Sequence, residues 1–214
     1  MKKVIVAMLA VSLVGVASTA YAGPGTYGGV YFPQGELSFA DSVVSYMPGA
    51  NVGSGYDNED LAIGKPDYPG GSSKGTAVSL GDGGSIVLQF VDNALTTSGD
   101  SEADLHIFEA GDVERMQVLI SIDQLIWVDL GIVDTQPSSI DIDGVAGVVD
   151  GAHYHFVKIV DDQAVQSPNP FAGADIDAVG AITTVPTPIP APGAVLLVSL
   201  GTGFVGFLRR RGSV

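Results

Sequence analysis

Alternation of apolar and polar residues, the pattern of a half-buried β-strand, recurs through the middle of this chain. It is clearest in residues 85–90, where Ile86, Leu88 and Phe90 fall on one face of an extended segment. Segments of the same kind are residues 105–107, 116–122, 126–130, 155–160 and 176–182. About eight short strands without a 3.6-residue period predict an all-β fold, specifically a β-sandwich.

Turn-forming residues separate these segments. The glycine-rich residues 81–84 predict a hairpin, and residues 98–100, 122–124 and 143–144 predict further turns. Only residues 58–63 favour a helical turn. Residues 23–39 are rich in glycine, proline and tyrosine and are interpreted as a leader or first edge strand, so the predicted domain covers residues 40–182. Within it Trp127, flanked by Ile126 and Val128, is predicted to lie in the core.

The N-terminus has the features of a secretory signal peptide. Lys2 and Lys3 precede the uncharged apolar residues 4–17, and Ala20 and Ala22 are small residues at the −3 and −1 positions of a cleavage site. The segment is apolar all round, whereas a buried helix of the fold would be amphipathic. We therefore expect a signal helix in residues 1–22, cleavage after Ala22 by signal peptidase, and export of the remainder.

The C-terminus combines a spacer, an apolar run and a basic end. Alternate prolines between 186 and 192 predict an extended spacer within residues 183–192. The 20 residues counted from Ile189 to Leu208 would span about 30 Å as a helix, which is enough to cross a bilayer. Arg209, Arg210 and Arg211 follow directly and favour a cytoplasmic end. Residues 193–214 are therefore predicted to form a transmembrane sorting segment.

This C-terminal arrangement resembles the PEP-CTERM sorting signal of Gram-negative bacteria. Pro190-Ala191-Pro192 stands where Pro-Glu-Pro is usual, and the arginine cluster occupies its expected place. The resemblance implies processing by a membrane-embedded exosortase. It also implies an inner-membrane intermediate, followed by release to the cell surface or extracellular matrix.

Charge and cysteine content narrow the functional classes. With both ends removed, Lys65, Lys74, Arg115 and Lys158 face 24 acidic residues, a formal net charge of −20. Such a surface repels nucleic acid and anionic membranes, and it is compatible with Ca²⁺ binding. The chain has no cysteine, so an exported domain of this size depends on its own core or on bound metal.

The order of several segments within residues 40–182 resembles cell-surface domains related to the discoidin and galactose-binding superfamily. Ala62-Ile63-Gly64-Lys65-Pro66-Asp67 is one of these segments. The resemblance implies a jelly-roll sandwich and a surface role. It also implies that acidic residues gather near the ends of the sandwich.

Carboxylates are the only functional side chains present in abundance, and they predict a structural calcium site. Asp175 and Asp177 would share one face of a strand, while Asp104 and Glu109 flank another. Asp141-Ile142-Asp143-Gly144 lacks the twelve-residue ligand spacing of an EF-hand, so Asp143 is interpreted as a turn former, as is Asp82. The predicted calcium ligands are Asp104, Glu109, Asp175 and Asp177.

An enzyme is the least favoured class, since the sequence contains no nucleophile elbow or phosphate-binding glycine loop. We expect instead a non-catalytic, exported structural or interaction module of the envelope or exopolysaccharide. The alternative is a calcium-assisted carbohydrate-binding module. Its glycan contacts would be Tyr46, Tyr56 and Tyr68, which lie in loop-like contexts.

Overall fold

Antiparallel β-strands form most of the regular structure in the computed structural model, which describes residues 23–162 and 172–185. The strands are β1 (Gly25–Tyr27), β2 (Val30–Phe32), β3 (Ser42–Met47), β4 (Val78–Ser79), β5 (Ser85–Gln89), β6 (Leu105–Glu109), β7 (Met116–Ser121), β8 (Val128–Val133), β9 (Ser138–Ile140), β10 (Phe156–Asp161) and β11 (Asp175–Ala181). Two short 3₁₀ helices, Gly35–Ser38 and Glu59–Ala62, complete the described elements. The predicted all-β class is therefore confirmed.

Nine of these strands belong to two antiparallel sheets. The first has the order β3-β5-β10-β7-β8, and the second has the order β4-β11-β6-β9. Strands β3 to β7 alternate between the two sheets along the chain, so each connection crosses from one layer to the other. Strands β1 and β2 pair only with each other.

One hydrophobic core lies between the two sheets. Ile86 and Leu88 of β5 contribute from the five-stranded sheet, and Ile107 of β6 and Ile176 of β11 contribute from the four-stranded sheet. All four side chains are fully buried. The face predicted for residues 85–90 is thus confirmed. Because both sheets bury their apolar faces against each other, the architecture is that of a β-sandwich.

A second apolar cluster covers the outer face of the four-stranded sheet. Phe32, Phe39, Phe108 and Ala178 form it. Phe108 follows Ile107 on β6 and therefore points to the opposite face of the sheet, away from the main core. The ring centroids of Phe32 and Phe39 are 4.7 Å apart, and both side chains are buried. Residues 23–39, interpreted from sequence as a leader or first edge strand, thus contribute a layer with two buried rings, Phe32 and Phe39, before the predicted domain start at residue 40.

Glycines permit this layer to approach the sheet. Gly28 and Gly29 both have positive φ angles, as a two-residue type I′ hairpin turn requires. Gly180 of β11 lies beneath the aromatic rings, and a Cβ atom there would be 2.7 Å from a Phe32 ring carbon and 2.8 Å from a Phe39 ring carbon. A side chain at residue 180 would therefore push the layer off the sheet.

Two sequence predictions about turns and core are wrong. Residues 81–84 form a turn, with Gly84 N donating to Gly81 O at 3.0 Å, but they connect β4 and β5, which belong to different sheets. They do not form a hairpin. Trp127 is half-buried, and its ring N–H donates to Gln124 O, because it lies in the β7–β8 turn beside the exposed Ile126.

The helical turn predicted at residues 58–63 is confirmed by the 3₁₀ helix Glu59–Ala62. Three strands, β3, β4 and β9, were not among the predicted segments. The predicted signal peptide (1–22) and sorting segment (193–214) lie outside the described residues, as do residues 186–192 of the spacer. Within residues 23–162 and 172–185, no helix has the length and apolar character needed to cross a bilayer.

Candidate functional site

Two groups of unusual carboxylates lie at the two ends of β6 in the described fold. At one end is the Glu109 cluster, which we define as Glu109, Glu114 and Asp175. Glu109 is the last residue of β6 and Asp175 the first of β11, the neighbouring strand. Ala110 N donates to Asp175 O at 2.9 Å, which ties the two strand ends together.

Glu109 is unusual because its carboxylate is buried beside two other acids, Glu114 and Asp175. Its exposed fraction is 2 %. Neither carboxylate oxygen has a hydrogen bond of good geometry among the described residues. Burial, followed by the charges of Glu114 and Asp175, raises the pKa of Glu109 to about 8, although the Glu114 backbone amide opposes the shift.

The pKa values of Glu114 and Asp175, the other two members of the Glu109 cluster, are also raised. Burial, then the charges of Asp175 and Asp161, with smaller effects of Asp112 and Asp82, raises the pKa of Glu114 to about 8. Burial also raises the pKa of Asp175 to about 6, against the hydroxyl groups of Ser79 and Ser73, which stabilise its charge. At neutral pH such a cluster retains protons or requires a cation.

At the opposite end of β6 is the Asp104 triad, which we define as Asp104, Asp141 and Asp143. Asp104 directly precedes β6, and Asp141 directly follows β9. Because Leu105 pairs with Ile140, the antiparallel register places these two acids side by side. One oxygen from each of the three carboxylates lies within 4.8 Å of the others.

Hydrogen bonds use only part of the triad's oxygen atoms. Asp104 is fully buried, and its Oδ2 accepts from Ile142 N at 3.1 Å. Asp143 Oδ2 accepts from Gly99 N at 2.6 Å and from Ser98 Oγ at 3.1 Å. Among the described residues, Oδ1 of Asp104 and Oδ1 of Asp143 are buried without a hydrogen bond of good geometry.

The electrostatics of Asp104 reflect this position. Burial raises its pKa, and the charge of Asp143 adds to the shift. The hydroxyl groups of Thr183 and Ser98 and the Ile142 amide lower it. Thr183 is near because the chain after β11 returns along this end, where Ile182 N donates to Asp104 O at 2.7 Å.

The three tyrosines proposed from sequence as glycan contacts lie around β4 and the start of β11. Tyr46 Oη donates to Ser79 O at 2.6 Å, and Ser79 N donates to Tyr56 O at 2.8 Å. Tyr68 N donates to Asp177 Oδ2 at 3.3 Å. Tyr46, Tyr56 and Tyr68 are all half-buried.

Their hydroxyl groups and rings already have partners. Burial, followed by the negative charge of Asp57 and smaller effects of other acids, raises the pKa of Tyr46 to about 12. Tyr68 Oη donates to Gly71 O at 2.8 Å, and Lys74 Nζ lies 5.7 Å from the Tyr56 ring centroid.

The structure separates the four predicted calcium ligands. Asp104 and Glu109 stand at opposite ends of β6, about 17 Å apart along a five-residue strand, so no single ion binds both. The pairing of β11 with β6 shifts register between Ile176 and Ala178, so β11 is irregular between Asp175 and Asp177. Asp177 instead accepts from the amides of Asp67 and Tyr68.

Sequence reasoning missed Glu114. It considered the stretch from Asp141 to Gly144 but rejected it as a calcium loop, and it interpreted Asp143 as a turn former. The available signal was an Asp-x-Asp-Gly stretch that follows a short apolar–polar alternation. Comparison with models of known protein families finds no match for this chain, and comparison with curated proteins finds no significant similarity. Functional inference therefore rests on the two sequence ends and on the carboxylate and tyrosine sites described above.

Proposed function

We propose that this protein is a non-catalytic, exported component of the cell surface or extracellular matrix, with its β-sandwich serving as a structural or interaction module. The observation that carries the proposal is the pair of sequence ends. Lys2-Lys3 with its apolar run and Ala20-Tyr21-Ala22 marks export. Pro190-Ala191-Pro192 with its apolar run and three arginines resembles a PEP-CTERM signal.

The strand order supports the surface-domain part of the proposal. The sheets β4-β11-β6-β9 and β5-β10-β7-β8 have the arrangement of an eight-stranded jelly roll, in which two Greek keys wrap into two facing sheets. Strand β3 is then an added edge strand beside β5. This topology agrees with the resemblance to the discoidin and galactose-binding superfamily, a group of sandwiches that present loops to partners.

The burial of the perturbed acids supports a non-catalytic role. Glu109 and Asp175 have raised pKa values, which in a cleft would favour proton-transfer chemistry. Both residues are almost fully buried at strand ends, where a polymeric substrate does not reach. Their position is better explained by fold stability or ion binding.

Intact-mass analysis of the protein isolated from its native cell surface tests the sorting proposal. We expect a mass that lacks residues 1–22 and the arginine end, because signal peptidase and an exosortase-type enzyme would remove them. Replacing Arg209, Arg210 and Arg211 by glutamine should leave the precursor in the membrane fraction. A surface protein that retains residues 209–214 would disprove removal of the tail.

The competing proposal is a calcium-assisted carbohydrate-binding module that contacts extracellular polysaccharide. The observation in its favour is that Tyr56 and Tyr68, both half-buried, lie near the acidic residues Asp175 and Asp177. Binding on a glycan array that disappears in Tyr56→Ala, but persists in the exposed control Tyr31→Ala, would favour this proposal. Retention of all glycan signals in Tyr56→Ala would remove it.

A further inference from the structure

We propose that the Asp104 triad is a binding site for one Ca²⁺ ion. The three acids belong to segments that are distant in sequence and meet only in the fold. Asp104 directly precedes β6, while Asp141 and Asp143 follow β9. This ligand set differs from the one predicted from sequence, which joined Asp104 with Glu109, Asp175 and Asp177.

The spacing of the oxygen atoms fits a calcium ion. Protein oxygens bind Ca²⁺ at about 2.3 to 2.6 Å, so two ligands of one ion are at most about 5 Å apart. The three carboxylates supply one oxygen each within 4.8 Å of one another. All three can therefore contact one ion placed between them without rearrangement of the strands.

The unused oxygens give independent support for a ligand. Asp104 Oδ1 belongs to a fully buried side chain and has no hydrogen bond of good geometry among the described residues. A buried carboxylate oxygen without a well-formed hydrogen bond is costly, and Asp143 Oδ1 is a second buried atom of this kind among the described residues. A cation between the acids would compensate their buried negative charge.

The identity of the ion follows from the donors and their charge. All donors are oxygens, which hard cations prefer, and the half-buried Asp141 and Asp143 leave room for backbone carbonyls and water to complete six to eight ligands. Mg²⁺ demands a stricter octahedron and retains its water, so it fits this site less well. The basic residues Lys65 and Arg115 pair elsewhere, with Glu36 and Asp162.

The ion would connect parts of the chain that are far apart in sequence. Asp143 already holds Gly99 of the β5–β6 connection, and Asp104 holds Ile182 through its backbone oxygen. Val185, the last described residue, pairs with Ala94 close to the same connection. Calcium would thus hold together the β5–β6 connection, the segment after β9 and the segment after β11.

Isothermal titration calorimetry on the full chain, stripped with EDTA, tests the site. We expect Ca²⁺ to bind more tightly than Mg²⁺ and to raise the melting temperature, because it binds only the folded state. Asp141→Asn and Asp143→Asn should each weaken calcium binding at least about tenfold, since each removes one charged ligand. Asp134→Asn, an exposed carboxylate before β9, is the matched control and should bind as the parent does.

Two outcomes would overturn the proposal. One is a parent protein that gives neither binding heat nor a change in melting temperature at millimolar Ca²⁺. The other is calcium affinity that is unchanged in both Asp141→Asn and Asp143→Asn, which would assign the ion to another cluster. Should Asp104→Asn fail to fold, these two less buried positions still decide the question. The result is independent of export and sorting, which the mass measurement tests.

Discussion

Replacing Phe32 by alanine is expected to lower the free energy of unfolding by about 3 to 5 kcal/mol, the usual cost of removing a buried phenylalanine ring. Phe32 is fully buried against Phe39 and Phe108 on the outer face of the four-stranded sheet. Deletion of its ring opens a cavity that the short hairpin of β1 and β2 cannot readily close. For a chain of this size the melting temperature should fall by at least roughly 6 °C.

Denaturant unfolding of the full chain measures this effect, with Tyr31→Ala as the matched control. Tyr31 is adjacent in sequence but 58 % exposed, so its loss should change stability by less than about 1 kcal/mol. Phe39→Ala should resemble Phe32→Ala, and the double variant should be less destabilised than the sum because the two rings touch. A Phe32→Ala protein as stable as the parent would show that residues 25–39 are not part of the cooperative fold.

The central strands could be predicted because their apolar alternation extends over five to seven residues. In β5 and β7 the alternating side chains face one shared core, so pattern and burial agree as far as Ile120. The prediction fails at Ile122, which lies beyond the end of β7 and is 49 % exposed. Strands β1, β2 and β9 have three residues each, too few for a periodic pattern to stand out.

The candidate site could be predicted only in part, because it depends on strand neighbours. Asp104 and Glu109 were correctly placed at the ends of one strand, and Asp104 lies in the proposed metal site. Its partner Asp141 is adjacent only because β9 pairs with β6, a non-local choice that no local sequence pattern specifies. The turn prediction for residues 81–84 failed for the same reason, since a glycine turn does not reveal whether the next strand stays in the sheet.

The second large effect is expected at Glu109, whose replacement by glutamine should stabilise the protein at alkaline pH. The folded-state pKa of Glu109, about 8, lies above its usual value of 4.5. As the pH rises, the unfolded chain therefore loses the Glu109 proton before the folded chain does. Below about pH 4.5 both states keep the proton, so Glu109 does not make the stability depend on pH. As pH rises from 4.5 to 8 the folded state binds more protons than the unfolded state, so stability falls. Above about pH 8 the loss is complete.

The full loss corresponds to at most about 5 kcal/mol at 1.36 kcal/mol per pKa unit. Glu109→Gln removes the titration and keeps the shape, so we expect it to differ from the parent by less than about 1 kcal/mol at pH 5 and to exceed it by about 4 kcal/mol at pH 8. Urea unfolding at both pH values in EDTA measures this difference, with the exposed Glu102→Gln as control. Protonation must accompany burial here because Glu109 faces Glu114 and Asp175 rather than a cation. Equal pH dependence in Glu109→Gln and the parent would show that the carboxylate is solvated or paired.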